Sequence, residues 1–338
     1  MPDLTHHGDV EVRGSGLLDL AVNVHPHGPP DFLRAALHAA VDEVTAYPDP
    51  VAAERALARH HDRAAEEVVA TAGATEAFSL VARLRPWRRP VVVHPQFTEP
   101  HAALEQAGCT VDPVVLGPAD VLDPGLVPDD ADLVVLGNPT NPTGALHPRH
   151  AVAALERPGR LVVVDEAFMD AVPGEVESLA GSSRPGLLVV RSLTKTWAVP
   201  GVRAGYVLAD PEVAGALRRA RPPWSFSSAA CATVLAVASE QGRSEQDRRA
   251  RELERWRLGL VQDLERSGWP VAPSAAPFVL VRVGDGVHAR LRRAGVAVRR
   301  CDTFPGLGPE WVRVAARPPE VTARLVDALG AAPPGLRG

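Results

Sequence analysis

Lys195 is the only lysine in a chain whose lysines and arginines together number 36. Arginine can replace lysine as a surface charge, but its guanidinium stays protonated and cannot become the free amine that condenses with an aldehyde. A bias against lysine that stops at one position makes Lys195 a candidate Schiff-base residue. Other residue types are scarce too: there is no isoleucine, the only tyrosines are Tyr47 and Tyr206, and the only asparagines are Asn23, Asn138 and Asn141. A lone lysine on a surface would carry no such message, so the segments around these survivors decide.

Lys195 lies in Arg191-Ser192-Leu193-Thr194-Lys195-Thr196-Trp197, followed by Gly201-Val202-Arg203-Ala204-Gly205-Tyr206. Upstream stand Asp165-Glu166-Ala167-Phe168, Gly137-Asn138-Pro139-Thr140-Asn141-Pro142-Thr143-Gly144 and Thr71-Ala72-Gly73-Ala74-Thr75-Glu76. Singly, each has an ordinary reading. A Pro-Thr-Gly octet is a turn, an Asp after a strand is a helix cap, and a Gly-Ala-Thr turn before a helix is weak evidence of phosphate binding.

The elements that must position these segments can be read from periodicity. Asp31 opens an apolar-periodic stretch, Phe32 to Val44, that predicts a helix with Asp31 as its cap, and a second helix is expected from about Val51 to His61. Short apolar runs then alternate with helical ones: Val68 to Ala70, Pro90 to His94, Val111 to Leu116, Leu133 to Leu136, Leu161 to Val164, Leu187 to Val190 and Ala204 to Leu208. That alternation predicts an α/β fold with a mostly parallel, doubly wound sheet, whose ligands gather past the carboxyl ends of the strands. Each segment above falls at such a position. Beyond Pro211 the pattern changes to long helices, notably Ser244 to Ser267, with short strands near Phe278 to Val283, Val296 to Arg299 and Trp311 to Val314. The expected division is an N-terminal arm over 1–22, a large domain over 23–215 and a smaller α+β domain over 216–338.

Bulk properties exclude other classes. With 338 residues, 46% hydrophobic and 23% charged, the chain can bury a substantial core. A net charge of −5 argues against a broad nucleic-acid surface. No apolar run approaches the ~18 residues of a membrane span, and the start Met1-Pro2-Asp3-Leu4-Thr5-His6-His7 lacks the apolar core of a signal peptide; a cytoplasmic location is expected. Cys109, Cys231 and Cys301 are far apart and suggest neither a disulfide framework nor a zinc site. No metal is expected.

Taken together, the segments resemble the fold-type I pyridoxal-phosphate enzymes, the aspartate aminotransferase superfamily, from about Asp19 to Ala328. The resemblance implies pyridoxal 5′-phosphate bound as a Schiff base to Lys195, Asp165 facing its ring nitrogen and Asn141 its phenolic oxygen. It assigns the cofactor phosphate to Ala74, Thr75, Ser192, Thr194 and Arg203, and stacking on the ring to Phe97 of His94-Pro95-Gln96-Phe97-Thr98-Glu99. Tyr47, in Tyr47-Pro48-Asp49-Pro50, matches a tyrosine that reaches the phosphate of a partner subunit, implying a homodimer. Arg313, in Trp311-Val312-Arg313-Val314, matches an arginine that holds the substrate carboxylate. Phe168 departs from the pattern, since many relatives carry a tyrosine there.

Two branches of the family compete: histidinol-phosphate aminotransferase, and threonine-phosphate decarboxylase of cobalamin assembly. The arm His6-His7-Gly8-Asp9 and the segment Arg299-Arg300-Cys301-Asp302-Thr303-Phe304-Pro305-Gly306-Leu307 resemble the second, and the first usually reads Asn-Glu-Asn-Pro where this chain has Val22-Asn23-Val24-His25-Pro26. The expectation is therefore decarboxylation of L-threonine O-3-phosphate, with Arg299 as the phosphate ligand and Asn23 and His7 as further substrate residues. Transamination of histidinol phosphate is the alternative, and a catalytically inert pyridoxal-phosphate protein a second. A nicotinamide dehydrogenase is disfavoured, because no Gly-x-Gly-x-x-Gly follows the first strand.

Overall fold

The computed structural model of the chain describes residues 3–333 and 335. Its strands are β1 (Leu18–Leu20), β2 (Val68–Thr71), β3 (Pro90–His94), β4 (Asp112–Val115), β5 (Leu133–Gly137), β6 (Leu161–Asp165), β7 (Leu187–Ser192), β8 (Gly205–Ala209), β9 (Phe278–Arg282), β10 (Val296–Arg300) and β11 (Trp311–Ala315). Its helices are α1 (Asp31–Ala39), α2 (Val51–His60), α3 (Ala74–Ala82), α4 (Glu99–Gln106), α5 (Arg149–Ala153), α6 (Pro211–Ala220), α7 (Ser228–Val237), α8 (Glu240–Arg266), α9 (Val287–Arg293) and α10 (Pro319–Leu329).

Strands β5 and β6 are buried at every position, as strands covered on both faces must be. They sit centrally in a seven-stranded sheet ordered β2-β8-β7-β6-β5-β3-β4. Alternate residues of each strand serve opposite cores. Val134, Val162 and Val189 pack with α1, α2 and α7 through Leu33, Leu57 and Val234. Val135, Val163 and Leu188 pack with α3, α4 and α6 through Phe78, Leu104 and Leu217. The sheet is mostly parallel; β8 runs antiparallel to both β2 and β7.

A second sheet, ordered β1-β10-β11-β9, is antiparallel except that β1 runs parallel to β10. Its core joins Val279, Val281, Val298, Val312 and Val314 to Leu260 and Leu264 of α8 and Leu325 of α10. The expected limits at 22 and 215 cut through these units. β1 pairs Leu18 with Val296, so the end of the arm belongs to the smaller sheet. The second limit falls inside α6, and α6 and α7 both pack on the larger sheet. The 27-residue α8 then carries the chain across; Arg249 near its start donates to the carbonyls of Thr196 and Gly28, while Leu260 and Leu264 serve the other core. Asp31 is the first helical residue of α1 rather than its cap; Pro30 takes the cap position, with no side-chain cap bond.

Candidate active site

Three parallel strands end together. Asp165, last residue of β6, lies in register between Gly137 of β5 and Val190 of β7, and its carbonyl accepts from the Asn138 N–H at 2.8 Å, which pins the loop after β5. The Asp165 carboxylate accepts from the backbone N–H of Ala167 at 3.0 Å and forms no ion pair among the described residues. Burial raises its pKa to about 6, against the opposing pull of the Ala167 bond and of Lys195. The Lys195 amine likewise has no hydrogen bond or ion pair among the described residues. Its pKa falls to about 8, first through burial and then through Arg313 and Arg203, with Asp165 and Asp9 acting in the opposite sense. A buried acid and a half-buried amine, each without a bonded counter-ion among the described residues, mark a site built for a third group.

The turn from β2 to α3 forms an anion cradle beside this pair. Gly73 has φ 80°, and a Cβ there would lie 2.5 Å from Arg203 Nη2, so only glycine lets the guanidinium lie against the start of α3. Gly205 is equally confined: a Cβ would come within 2.8 Å of the Gly73 backbone. Ala74 and Thr75 open α3, whose first N–H groups and dipole favour an anion. The Ser192 and Thr194 hydroxyls are 2.9 Å apart at the end of β7. Arg203, in left-handed backbone geometry with φ 59°, donates to the Pro200 carbonyl at 3.1 Å and pairs with no carboxylate among the described residues.

On the smaller sheet Arg299 and Arg313 are cross-strand partners, and both are buried. Arg313 Nη1 donates to Asn141 Oδ1 at 2.5 Å and Nη2 to the Ala21 carbonyl at 2.5 Å. Asn23, with its amide oxygen turned inward, accepts from Nη1 and Nε of Arg313 at 3.1 and 3.2 Å. Arg299 Nη2 donates to the His6 carbonyl at 2.7 Å and to Thr303 Oγ1 at 2.8 Å. The arm covers this pair: a Cβ on Gly8 would stand 3.4 Å from Arg313 Nη2 and 3.6 Å from Arg299 Cδ. The arm also spans to the larger domain, where His7 Nε2 lies 2.8 Å from Glu99 Oε1 and the Thr98 hydroxyl donates to the Leu4 carbonyl at 2.6 Å.

Phe97 is half-buried between His7 and Phe78, with ring centroids at 6.0 and 6.3 Å. Asn141 is turned to Arg313. Phe168 packs edge-on against Phe278 at 5.0 Å. Tyr47 stands apart from the other expected site residues: it is 78% exposed and stacks on the exposed Trp224 at 4.5 Å.

Sequence reading missed the support beneath the site. Arg191 is buried and bonds Glu166 at 2.9 Å and Glu175 at 2.9 and 2.7 Å. Asn138 clasps the His147 backbone, donating to its carbonyl at 3.0 Å and accepting from its N–H at 2.8 Å. Only the survival of Asn138 in an asparagine-poor chain hinted at the second; the first joins residues with no sequence periodicity. A large cleft, lined by Trp87, Arg157, Gly186 and Asp210, opens at the opposite end of the strands, where β6 and β7 begin, and contains none of the groups above.

Residues 15–329 match the sequence pattern of the family described as aminotransferase class I and II. A histidinol-phosphate aminotransferase of Mycobacterium tuberculosis is 45% identical over 95% of this chain and 90% of its own length. A threonine-phosphate decarboxylase of Salmonella typhimurium is 33% identical over 93% of this chain and 90% of its own. Among solved structures, the histidinol-phosphate aminotransferase of Sinorhizobium meliloti in complex with pyridoxal-5′-phosphate superposes with a TM-score of 0.85 at 23% identity, over 97% of this chain and 94% of that one. No helix among the described residues is long and apolar enough to cross a membrane.

Proposed function

Because this chain belongs to the class I and II aminotransferase family, we propose that it transfers the amino group of a phosphorylated amino compound of the histidinol phosphate kind to a 2-oxo acid. It is an enzyme whose coenzyme is pyridoxal 5′-phosphate. The residues fit that group: the cradle of α3, Ser192, Thr194 and Arg203 suits a phosphate, unpaired Lys195 suits an aldehyde, and Asp165 lacks the cation that a protonated pyridine provides. When bound, the coenzyme supplies an electron-accepting ring that lets a bond at the substrate Cα break.

In this reading the protein's own groups divide the work. Lys195, largely shielded from water and of lowered basicity, holds the coenzyme and moves a proton at Nζ. Asp165 keeps negative charge opposite the ring nitrogen, and Phe97 bounds the ring face. Arg299 and Arg313 take the anionic groups of the substrates in turn, phosphate on the donor and carboxylate on the acceptor. The arm, fastened through Thr98 and Arg299, shields the reacting carbon from water. Tyr47 completes the phosphate site of a second subunit in a cytosolic homodimer; its exposure on a single chain supports this.

The observation that carries the substrate class is the buried pair Arg299 and Arg313, which has no carboxylate partner among the described residues and therefore waits for an anion. The higher identity to a relative named histidinol-phosphate aminotransferase supports transamination, and it reverses the order expected from the short segments that resembled the decarboxylase. Decarboxylation of threonine phosphate stays as the second reading, favoured by Phe168, which provides no hydroxyl to the ring oxygen. Incubation with histidinol phosphate plus 2-oxoglutarate, and separately with threonine phosphate, separates them. Glutamate formed in the first mixture supports transamination; carbon dioxide from the second with no glutamate in the first overturns it in favour of the decarboxylase.

A further inference from the structure

The loop between Asn23 and α1 carries two histidines, His25 and His27, that none of the chemistry above uses. The His25 side chain is wholly enclosed, at 0% exposure, and its Nε2 lies 3.2 Å from Glu252 Oε2 on α8. That distance suits a hydrogen bond, yet Nε2 makes none among the described residues, and the other ring nitrogen, Nδ1, is met only by the His27 backbone N–H at 3.4 Å. Exposed His27 completes a triad: one donor atom from each of His25, His27 and Glu252 lies within 4.8 Å of the other two. Trp256 braces both rings, with centroids 5.6 Å from His25 and 5.4 Å from His27.

Two imidazoles and one carboxylate are the donor set of divalent first-row ions, whereas magnesium and calcium take oxygen ligands. Donors sharing a tetrahedral zinc-sized ion stand about 3.3 Å apart, given metal–ligand bonds of roughly 2.0–2.1 Å. The His25–Glu252 separation already meets that spacing, and His27, exposed on the solvent side though packed edge-on against Trp256, closes the remainder by a rotation of its ring. The solvent side leaves a fourth position for water. The competing cation is Arg248, whose Nη1 is 3.3 Å from the same Glu252 oxygen. Arg248 also holds Glu245 through two bonds of 2.8 and 2.7 Å, so it keeps a carboxylate when displaced.

We propose that His25, His27 and Glu252 form a site for a zinc-class divalent ion with one open position. The His25 backbone N–H donates to the Lys195 carbonyl at 3.0 Å, and Asn23, two residues earlier, holds Arg313. An ion here staples the loop bearing both contacts to α8. The cysteine spacing in the sequence gave no sign of it, since its ligands are histidines and a glutamate brought together only by the fold.

The test uses tag-free holoenzyme stripped with a chelator and titrated with Co2+ and with Zn2+. One ion per chain is expected, with a visible Co2+ band of low-symmetry coordination. His27→Ala and Glu252→Gln each weaken binding roughly tenfold or more, while Arg248→Ala binds at least as tightly as the parent. Far-ultraviolet circular dichroism and the coenzyme absorbance confirm that each variant is folded and loaded. No stoichiometric binding, or affinity unchanged in both His27→Ala and Glu252→Gln, overturns the site.

Discussion

Arg299 of β10 and Arg313 of β11 stand opposite one another in register, two buried guanidiniums with no acidic residue bonded to either among the described residues. Burial first, and then the nearby Arg299, lower the pKa of Arg313 to about 9, so it remains a cation at neutral pH. An anion is what relieves the pair. Arg313→Lys keeps one charge but loses the planar fork. Hydrogen bonds to charged groups contribute about 1.5–3 kcal/mol, so the substitution is expected to raise the KM of the carboxylate substrate roughly 10- to 100-fold. Steady-state kinetics with each substrate varied in turn will show whether the loss follows the carboxylate or, for Arg299→Lys, the phosphate.

Asp165→Asn preserves the shape and the acceptor for the Ala167 N–H but removes the charge. Loss of a preorganised electrostatic group of this kind costs about 10²–10³-fold in turnover. The coenzyme absorbance should persist while kcat falls. Full activity in the Asn variant would remove Asp165 from the chemistry.

The proposed capture of the coenzyme by Lys195 carries a pH dependence. Only the neutral amine condenses, and its pKa lies at about 8. Capture by the coenzyme-free protein should therefore rise about tenfold per pH unit below pH 8 and level off above it. Arg203→Gln removes a cation that favours the neutral amine, so its midpoint moves up; Asp165→Asn removes an anion and moves it down. Stability of the coenzyme-free protein has the same origin. Between about 8 and the ordinary value of 10.5 the unfolded chain binds more protons at this lysine than the native one, so this contribution to stability increases with pH across that window. Urea melts at pH 8 and pH 10 on wild type and Lys195→Met read the difference.

Arg191 neutralises two glutamates beneath the site, at 2.9 Å from Glu166 and 2.7 Å from Glu175. Arg191→Met leaves the enclosed Glu166 carboxylate without a cation, and removal of one partner of such a pair costs about 3–5 kcal/mol. A urea midpoint shift of that size is expected. The double variant Arg191→Met, Glu166→Gln should recover part of it.

How much was legible in the chain depended on what each element does locally. Leu133 to Leu136 and Leu161 to Val164 read as strands because they lack a polar face; an Asp after a strand reads as an ordinary cap, so the role expected of Asp165 came only from the family resemblance. Lysine depletion made Lys195 visible without any motif. Strand direction was not legible: Ala204 to Leu208 is equally apolar whether it runs with or against its neighbours, and β8 runs against them. The pairing of β1 with β10 joins distant segments that share no pattern. The same holds for Arg299 facing Arg313, which needs the β10–β11 register. Helix α7 carries apolar residues on every side, so its sequence does not say which sheet it serves. The choice between transamination and decarboxylation rested on short segments of the arm and of the loop after Arg299, where a few residues decide, and relatives compared over the full length weighed differently.

The proposed function requires that the Lys195 amine carry the coenzyme. Borohydride reduction of the holoprotein, followed by proteolysis and mass spectrometry, measures it directly. A phosphopyridoxyl adduct on the peptide containing Lys195, absent from Lys195→Arg, is expected. An unmodified Lys195 peptide in a protein that shows the coenzyme's absorbance would contradict it.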